Sequence, residues 1–333
     1  MTEYIDIKDG IAIALAWPAT FCKQAGSWYD PLMKVLGFNK NGYYRAGHAA
    51  VVLIKKDGIC QYFDFGRYHA AFGKGRVRSS MTDPELKINT VPRFRNGNLS
   101  NLNQILQELS ERSACHGTGD LHGSVVQVNY QRSYDKAKQL RRLSPLPYGP
   151  FIRGGTNCSR FVRAIILAGN LNVWIKLKLL FPYTITPSPM TVVRVLKKRV
   201  VIHAKKQNNQ PPTHIDLDHV LPKPIRPLQV PGSAVWMAGE GAGSWFDIRQ
   251  VDALFKVTRY APDGTTEFEA YYKTFGVSKE PDLTQKFQVM PESHYLRIAV
   301  VQGESIRILR KTENREMLYP KPKSQSAHHL EFR

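Results

Sequence analysis

The run Gly154-Gly155-Thr156-Asn157-Cys158-Ser159-Arg160-Phe161-Val162 decides how this chain is read. Glycines give way to an apolar segment, Phe161 to Ala168, that stops before Gly169, so a helix is predicted to open beside Cys158 and close at Gly169. Free backbone N–H groups and the positive end of the helix dipole would then surround the sulfur. With an imidazole nearby, such surroundings bring a thiol pKa down to about 3.5–7.5. The preceding glycines let the backbone come close to a substrate carbonyl. The other cysteines lack this setting: Cys22 and Cys115 have no such glycine-to-helix junction, and Cys60 lies inside a strand-like run. No Cys-x-x-Cys pair occurs, so neither a zinc site nor a disulfide framework is indicated.

A cysteine nucleophile needs a base, best carried on a rigid strand and oriented by a third polar group. His48 opens the run His48-Ala49-Ala50-Val51-Val52-Leu53-Ile54 directly after Gly47. A second β-rich run, Ile59 to Phe65, follows across Lys55-Lys56-Asp57-Gly58, and Asp-Gly is a hairpin signal. Asp64 lies on the return strand. A three-residue turn places it on the face of His48, a two-residue turn on the opposite one. Tyr62 and Gln61 are the other candidate orienters. Arg67, Arg76 and Arg78 offer a grip for an anionic substrate group, against the simpler expectation of a solvated loop face.

Asn157-Cys158-Ser159-Arg160-Phe161-Val162 resembles the cysteine motif of the NlpC-type cell-wall peptidases, and Gly47-His48-Ala49-Ala50-Val51-Val52-Leu53 resembles their histidine strand. Histidine precedes cysteine here, which resembles the permuted papain-like branch that includes lecithin:retinol acyltransferase-like and bacterial YiiX-like proteins. Tyr148, set before Asn157-Cys158, is similar to a tyrosine–loop–Asn-Cys approach in that branch. Trp17-Pro18, Trp28-Tyr29-Asp30 and Phe63-Asp64-Phe65-Gly66-Arg67 extend the likeness to a bacterial family of that type. The resemblance covers about residues 40–172. It implies an α+β, permuted papain-like (NlpC-type) domain, with an antiparallel sheet packed on helices. It also implies a thiol hydrolase acting on a peptide or isopeptide amide, with Cys158 attacking, His48 as base and Asp64 as orienter. Asn157, Tyr148, Tyr62 and Arg67 are the substrate or oxyanion candidates. The same site could serve a lipid acyl hydrolase or acyltransferase, or survive as a degenerate scaffold in a binding protein. Arg160 stands where the family motif has a small residue.

The rest of the chain fits around this centre. Residues 1–204 are expected to form the hydrolase domain, 205–231 a proline-spaced linker, 232–318 a small C-terminal β-rich domain and 319–333 a disordered tail. Leu99 to Arg112 and Ser133 to Leu143 are predicted helices, Val125 to Tyr130 a strand, Thr191 to Val200 a helix and residues 66–98 a long loop with room for one short strand. Beyond Gly232, Phe255 to Tyr260 and Thr266 to Tyr272 flank Pro262-Asp263-Gly264. Tyr295 to Val301 and Ser305 to Leu309 flank Gly303-Glu304. Trp236, Trp245 and Phe246 are expected in that domain's core.

The 333 residues carry 47 Lys and Arg against 27 Asp and Glu, a net charge of +20. That surplus suits an anionic partner, yet no nucleic-acid motif organises it, so nucleic acid is not expected. Neither a membrane span nor a signal peptide is read, and a cytoplasmic protein is the default expectation. His69, His214 and His219 lack a ligand set, so neither metal nor cofactor is expected.

Overall fold

The computed structural model describes residues 8–24, 27–182, 187–205, 223–275 and 280–312. The expected tail, most of the expected linker, and His214 and His219 lie outside those residues. The first sheet has seven strands: β1 (Gly10–Trp17), β2 (His48–Lys55), β3 (Cys60–Gly66), β4 (Lys74–Ser79), β5 (Leu121–Val128), β6 (Leu146–Pro147) and β7 (Lys197–Ile202). They run in the order β6-β4-β3-β2-β1-β5-β7, and every pairing is antiparallel. Helices α1 (Asp30–Val35), α2 (Leu102–Glu111), α3 (Tyr130–Leu143), α4 (Cys158–Ala168), α5 (Val173–Leu180) and α6 (Pro189–Val195) accompany it.

The central strand β1 is buried along its whole length, because both faces of the sheet are covered. Strand alternation sends Ala12, Ala14 and Ala16 to one face with Ala49, Val51 and Leu53, where Phe161, Val162 and Ile165 of α4 pack. Small alanines let the helix approach closely. Ile11, Ile13, Leu15 and Trp17 go to the other face with Ala50, Val52 and Ile54, against Ile105, Leu106 and Leu109 of α2. Each large apolar side chain so enclosed contributes about 1.5–3 kcal/mol.

Two expectations need correction. Residues 197–202 form the edge strand β7, where Thr191 to Val200 was expected to be one helix; helix α6 ends at Val195 and the β-branched Val200 and Ile202 turn onto the α2 face. Residues 66–98 are mostly irregular, as expected, and their one longer strand is β4, accompanied by a 3-10 turn over Pro84–Leu86 and two short paired segments, Phe94–Arg95 and Asn98–Leu99. Arg76 and Arg78 are therefore not solvated loop residues: they lie in β4 and are buried, each matched to an aspartate. Alternating charges within Lys74 to Ser79 hide a strand whose polar side chains are satisfied internally.

The second sheet contains β8 (Val235–Met237), β9 (Ser244–Val251), β10 (Leu254–Tyr260), β11 (Thr266–Thr274), β12 (Gln288–Val289), β13 (Arg297–Gln302) and β14 (Ser305–Lys311). Their order is β8-β9-β10-β11-β14-β13-β12, and β8 returns against β12, so the sheet nearly closes into a barrel. Phe246, Phe255, Val257, Tyr272 and Leu309 form its core, with Trp245 fully buried in an adjoining cluster.

This barrel grips the first sheet through polar groups. The Arg67 guanidinium pairs with the Glu240 carboxylate, whose second oxygen accepts from Gly73 N at 3.0 Å. His69 N donates to Ala242 O at 3.1 Å, and Gly241 N to Arg67 O at 2.8 Å. Fully buried Arg259 of β10 donates to Glu85 at 2.7 Å and pairs with Asp83, which also holds Arg76.

Candidate active site

Hairpin geometry settles which face Asp64 takes. Lys55 N bonds to Ile59 O at 2.8 Å, closing a three-residue turn over Lys56-Asp57-Gly58, with Gly58 at φ +99. Ala50 then pairs with Asp64 and Val52 with Tyr62, so both acid and phenol share the face of His48. Nε2 of His48 lies 3.4 Å from Asp64 Oδ2, an ion-pair contact too poorly aligned to count as a hydrogen bond. Gly47 makes the placement of His48 possible: it sits at φ +74, and a Cβ there would come within 3.0 Å of Trp17 O.

Asp64 is itself anchored. Arg78 reaches it with two nitrogens, Nε to Oδ1 at 2.9 Å and Nη2 to Oδ2 at 2.5 Å, and the Tyr62 hydroxyl donates to Oδ2 at 3.0 Å. The Arg78 guanidinium faces the Tyr68 ring at 4.4 Å, and Tyr68 stacks on His116 at 4.0 Å. Tyr68 also meets the His48 ring edge-on at 5.8 Å, while Trp17 stacks on the other side at 5.8 Å. The imidazole is thus fixed from three directions.

Cys158 is the first residue of α4. Asn157 is the N-cap, its side-chain oxygen accepting from Arg160 N at 2.9 Å. Phe161 N bonds to Asn157 O at 2.9 Å, which leaves the N–H groups of Cys158 and Ser159 without a partner inside the helix. The sulfur lies 3.8 Å from Ser159 Oγ and close enough to His48 for each to shift the other's ionisation.

Burial alone would push the Cys158 thiol up, but hydrogen bonding to His48 and its positive charge overcome this and hold the thiol below its ordinary range. Burial likewise opposes charge on His48, yet Asp64 and Cys158 raise its pKa from 6.5 to about 9. Burial also works against the Asp64 anion; Arg78 and His48 nonetheless lower its pKa below the usual carboxylate range. The four groups form a line of thiol, imidazole, carboxylate and guanidinium, each shifting the ionisation of its neighbour. The other cysteines have no such partner, and burial pushes Cys22, Cys60 and Cys115 up to about 12.

The elevated His48 value predicts a pH slope. A group raised from 6.5 in the unfolded chain to about 9 in the fold contributes stability that is complete below pH 6.5 and is lost as pH rises through the folded value. In Cys158→Ala protein, where no thiol titration interferes and Asp64 still raises the imidazole, the denaturant midpoint should fall on going from pH 6.5 towards 9. Adding His48→Gln should flatten that slope; an unchanged slope would show that His48 is not its source.

The remaining candidates divide by environment. Tyr62 is fully buried behind Asp64, and Asn157 is occupied as the cap. Arg67 serves as the clasp to Glu240 and to the carbonyls of Lys23 and Gln24, and it also lies over the Tyr148 ring at 5.0 Å. Tyr148 is half-buried near the sulfur; burial raises its hydroxyl pKa well above the ordinary value, and Cys158 and Cys22 add to the rise. Arg160, the departure from the family motif, donates to Pro150 O at 2.8 Å and so latches the glycine-rich approach. The sequence offers Arg78 as a candidate substrate grip rather than as the anchor of Asp64, and it does not single out Tyr68 or His116. Recognising β4 would have found Arg78, which stands opposite Asp64 in register. Nothing in the local sequence marks Tyr68 or His116, since they meet only through the fold. Among the described residues no cluster of three potential metal ligands occurs.

Residues 12–174 match the family described as type VI secretion system effector TseH-like. That span holds His48, Asp64, Arg78 and Cys158. Residues 234–312 match the DUF6695 C-terminal domain, a span that includes all of β9 to β14. The crystal structure of the type VI secretion system effector TseH is similar at 20% identity and a TM-score of 0.39, covering 59% of this chain and 93% of that one. No curated protein matches the chain.

Proposed function

We propose that this chain is a thiol-dependent hydrolase of permuted papain-like architecture that cleaves a peptide or isopeptide amide, acting as a type VI secretion effector. One observation carries the enzymatic part: a buried cysteine at a helix N-terminus stands beside His48, whose ring lies 3.4 Å from the Asp64 carboxylate that Arg78 holds. The effector role is supported by the match over residues 12–174.

The chemistry follows from the charges. The Cys158 thiolate attacks the amide carbon, and the developing oxyanion is placed to accept from the free N–H groups of Cys158 and Ser159. The His48 imidazolium gives its proton to the departing amine, leaving a thioester on Cys158. Water, deprotonated by the now neutral His48, attacks the thioester; carboxylic acid leaves and the thiolate–imidazolium pair is restored. Asp64, held by Arg78, keeps the ring oriented and its charge favoured throughout. Cys158 is 5% exposed and His48 3%, so the reacting groups are largely withdrawn from water.

The test is covalent trapping. Thiol-reactive peptidyl probes incubated with the full chain should give one adduct, mapping to Cys158 and absent from Cys158→Ala. Acyl probes of similar size should label more slowly if the substrate is an amide. Equal adducts on Cys22, Cys60 and Cys115, or none on Cys158, would overturn the assignment.

A further inference from the structure

Helix α5, longer than the similarly exposed α1, turns most of its apolar residues outward. Only Ile175 and Leu179 turn inward onto the first core. Trp174 is 70% exposed, Phe181 at the C-cap 75% and Leu177 41%, with Val173 and Leu180 also outside. Positions 174, 177, 178 and 181 fall on one side of the helix, so Lys178 is exposed among the apolar residues, while Lys176 is exposed farther round the helix. Isolated apolar residues at a surface need no explanation, but a contiguous aromatic and aliphatic face does.

Beside this helix lies an open cleft of about 600 Å³. Leu102, Val125 and Ile175 contribute its apolar lining, and Lys8, Lys178 and Lys198 its charge; no Asp or Glu lines it. Among the described residues none of these three lysines is in an ion pair. The bias extends along the chain, since no acidic residue occurs anywhere between Asp135 and Asp216. Lys198 is held at φ +57, a backbone region that non-glycine residues rarely adopt.

We infer that the α5 face and the adjoining lysine-lined cleft form a docking site for an anionic phospholipid bilayer. A short helix with aromatic and aliphatic residues outward and lysines beside them is suited to the interface of a membrane: the rings enter the headgroup boundary and the lysine stems keep their ammonium groups at the phosphates. Charge complementarity selects this occupant over a second copy of the chain, because two molecules of net charge +20 meeting through their acid-free faces repel. No helix among the described residues is long and apolar enough to cross a membrane, so the contact is interfacial as far as helices are concerned. The site is independent of the proposed chemistry.

The experiment is sedimentation of the full-length protein with vesicles of phosphatidylcholine alone and of phosphatidylcholine mixed with phosphatidylglycerol. Binding is expected only to the mixed vesicles, and added salt should release it. Trp174→Ala combined with Phe181→Ala should weaken it at least about tenfold. Lys178→Ala and Lys198→Ala should each weaken it about fivefold. Lys40→Ala and Lys273→Ala, on other exposed surface, should leave it unchanged, and all variants should melt like the parent. Three outcomes would overturn the assignment: no binding, equal binding to both vesicle types, or equal losses from the distant lysine variants. Self-association in solution that Trp174→Ala abolishes would overturn it too, in favour of a second copy as the occupant.

Discussion

Replacing His48 by Ala or Gln should lower the alkylation rate of Cys158 at pH 6 about a thousandfold. The reference is internal to the molecule. Cys22, Cys60 and Cys115 show what burial does to a thiol here without an imidazolium partner: each is pushed up to about 12. Cys158 is as enclosed as they are, yet its pKa lies below the ordinary value because His48 is charged beside it. Removing the ring removes that charge and leaves burial alone, so the thiolate population at mildly acidic pH collapses. Iodoacetamide must reach the same sulfur through the same cover in parent and variant, so the ratio of rates reports ionisation. A ratio within tenfold of unity would mean that the helix terminus, and not His48, sets the reactivity.

Asp64→Ala should be the most destabilising single change at the site, by about 3–5 kcal/mol. It strands the guanidinium of Arg78, whose side chain is fully buried and whose charged nitrogens have Asp64 as their hydrogen-bonding carboxylate. At about 2–4 °C per kcal/mol for a unit of this size, the melting temperature should fall on the order of 10 °C. The companion double variant, Asp64→Leu with Arg78→Met, separates stability from chemistry. Exchanging a buried ion pair for apolar groups of similar volume is often neutral, so most of the stability should return. Thiol reactivity should not, because nothing then favours the charged form of His48. If the single variant melts within about 2 °C of the parent, the pair is not carrying the load assigned to it.

Much of this was legible in the sequence, for identifiable reasons. The Cys158 helix start was readable because glycine, a capping Asn and an apolar 3.6-residue period coincide within a dozen residues. The hairpin from His48 to Phe65 was readable from Asp-Gly between two β-branched runs, although its turn length, and with it the face of Asp64, was not. That detail depends on whether Lys55 and Ile59 close the ladder, which local propensity leaves undetermined. Strand β4 escaped because one of its faces is charged: Lys74, Arg76 and Arg78 alternate with Gly75 and Val77, and burial of arginine is legible only when its carboxylate partners are already located. Strand β7 was taken into the preceding helix since Lys197-Lys198-Arg199 hides the apolar alternation of Val200 and Ile202 until the edge of the sheet is known. Tyr68 and His116 meet across loops far apart in sequence, and no pattern of either one predicts the other.

The charged relay has two origins in the chain, and this bears on how activity is acquired during synthesis. His48, Asp64 and Arg78 all come from three successive antiparallel strands within residues 48–79, joined by local connections. Their carboxylate, imidazole and guanidinium can assemble as soon as that meander closes, at small cost in loop entropy. Cys158 arrives from another helix, and its sulfur meets the imidazole only when α4 seats on the alanine-lined face of β1 and β2. A chain in which α4 has not yet packed on that face is therefore expected to carry an ordinary thiol, the shift at Cys158 appearing only once α4 seats. Reactivity of Cys158 thus doubles as a reporter of complete tertiary assembly, and any substitution that loosens the seat of α4 is expected to silence the sulfur before it melts the sheet.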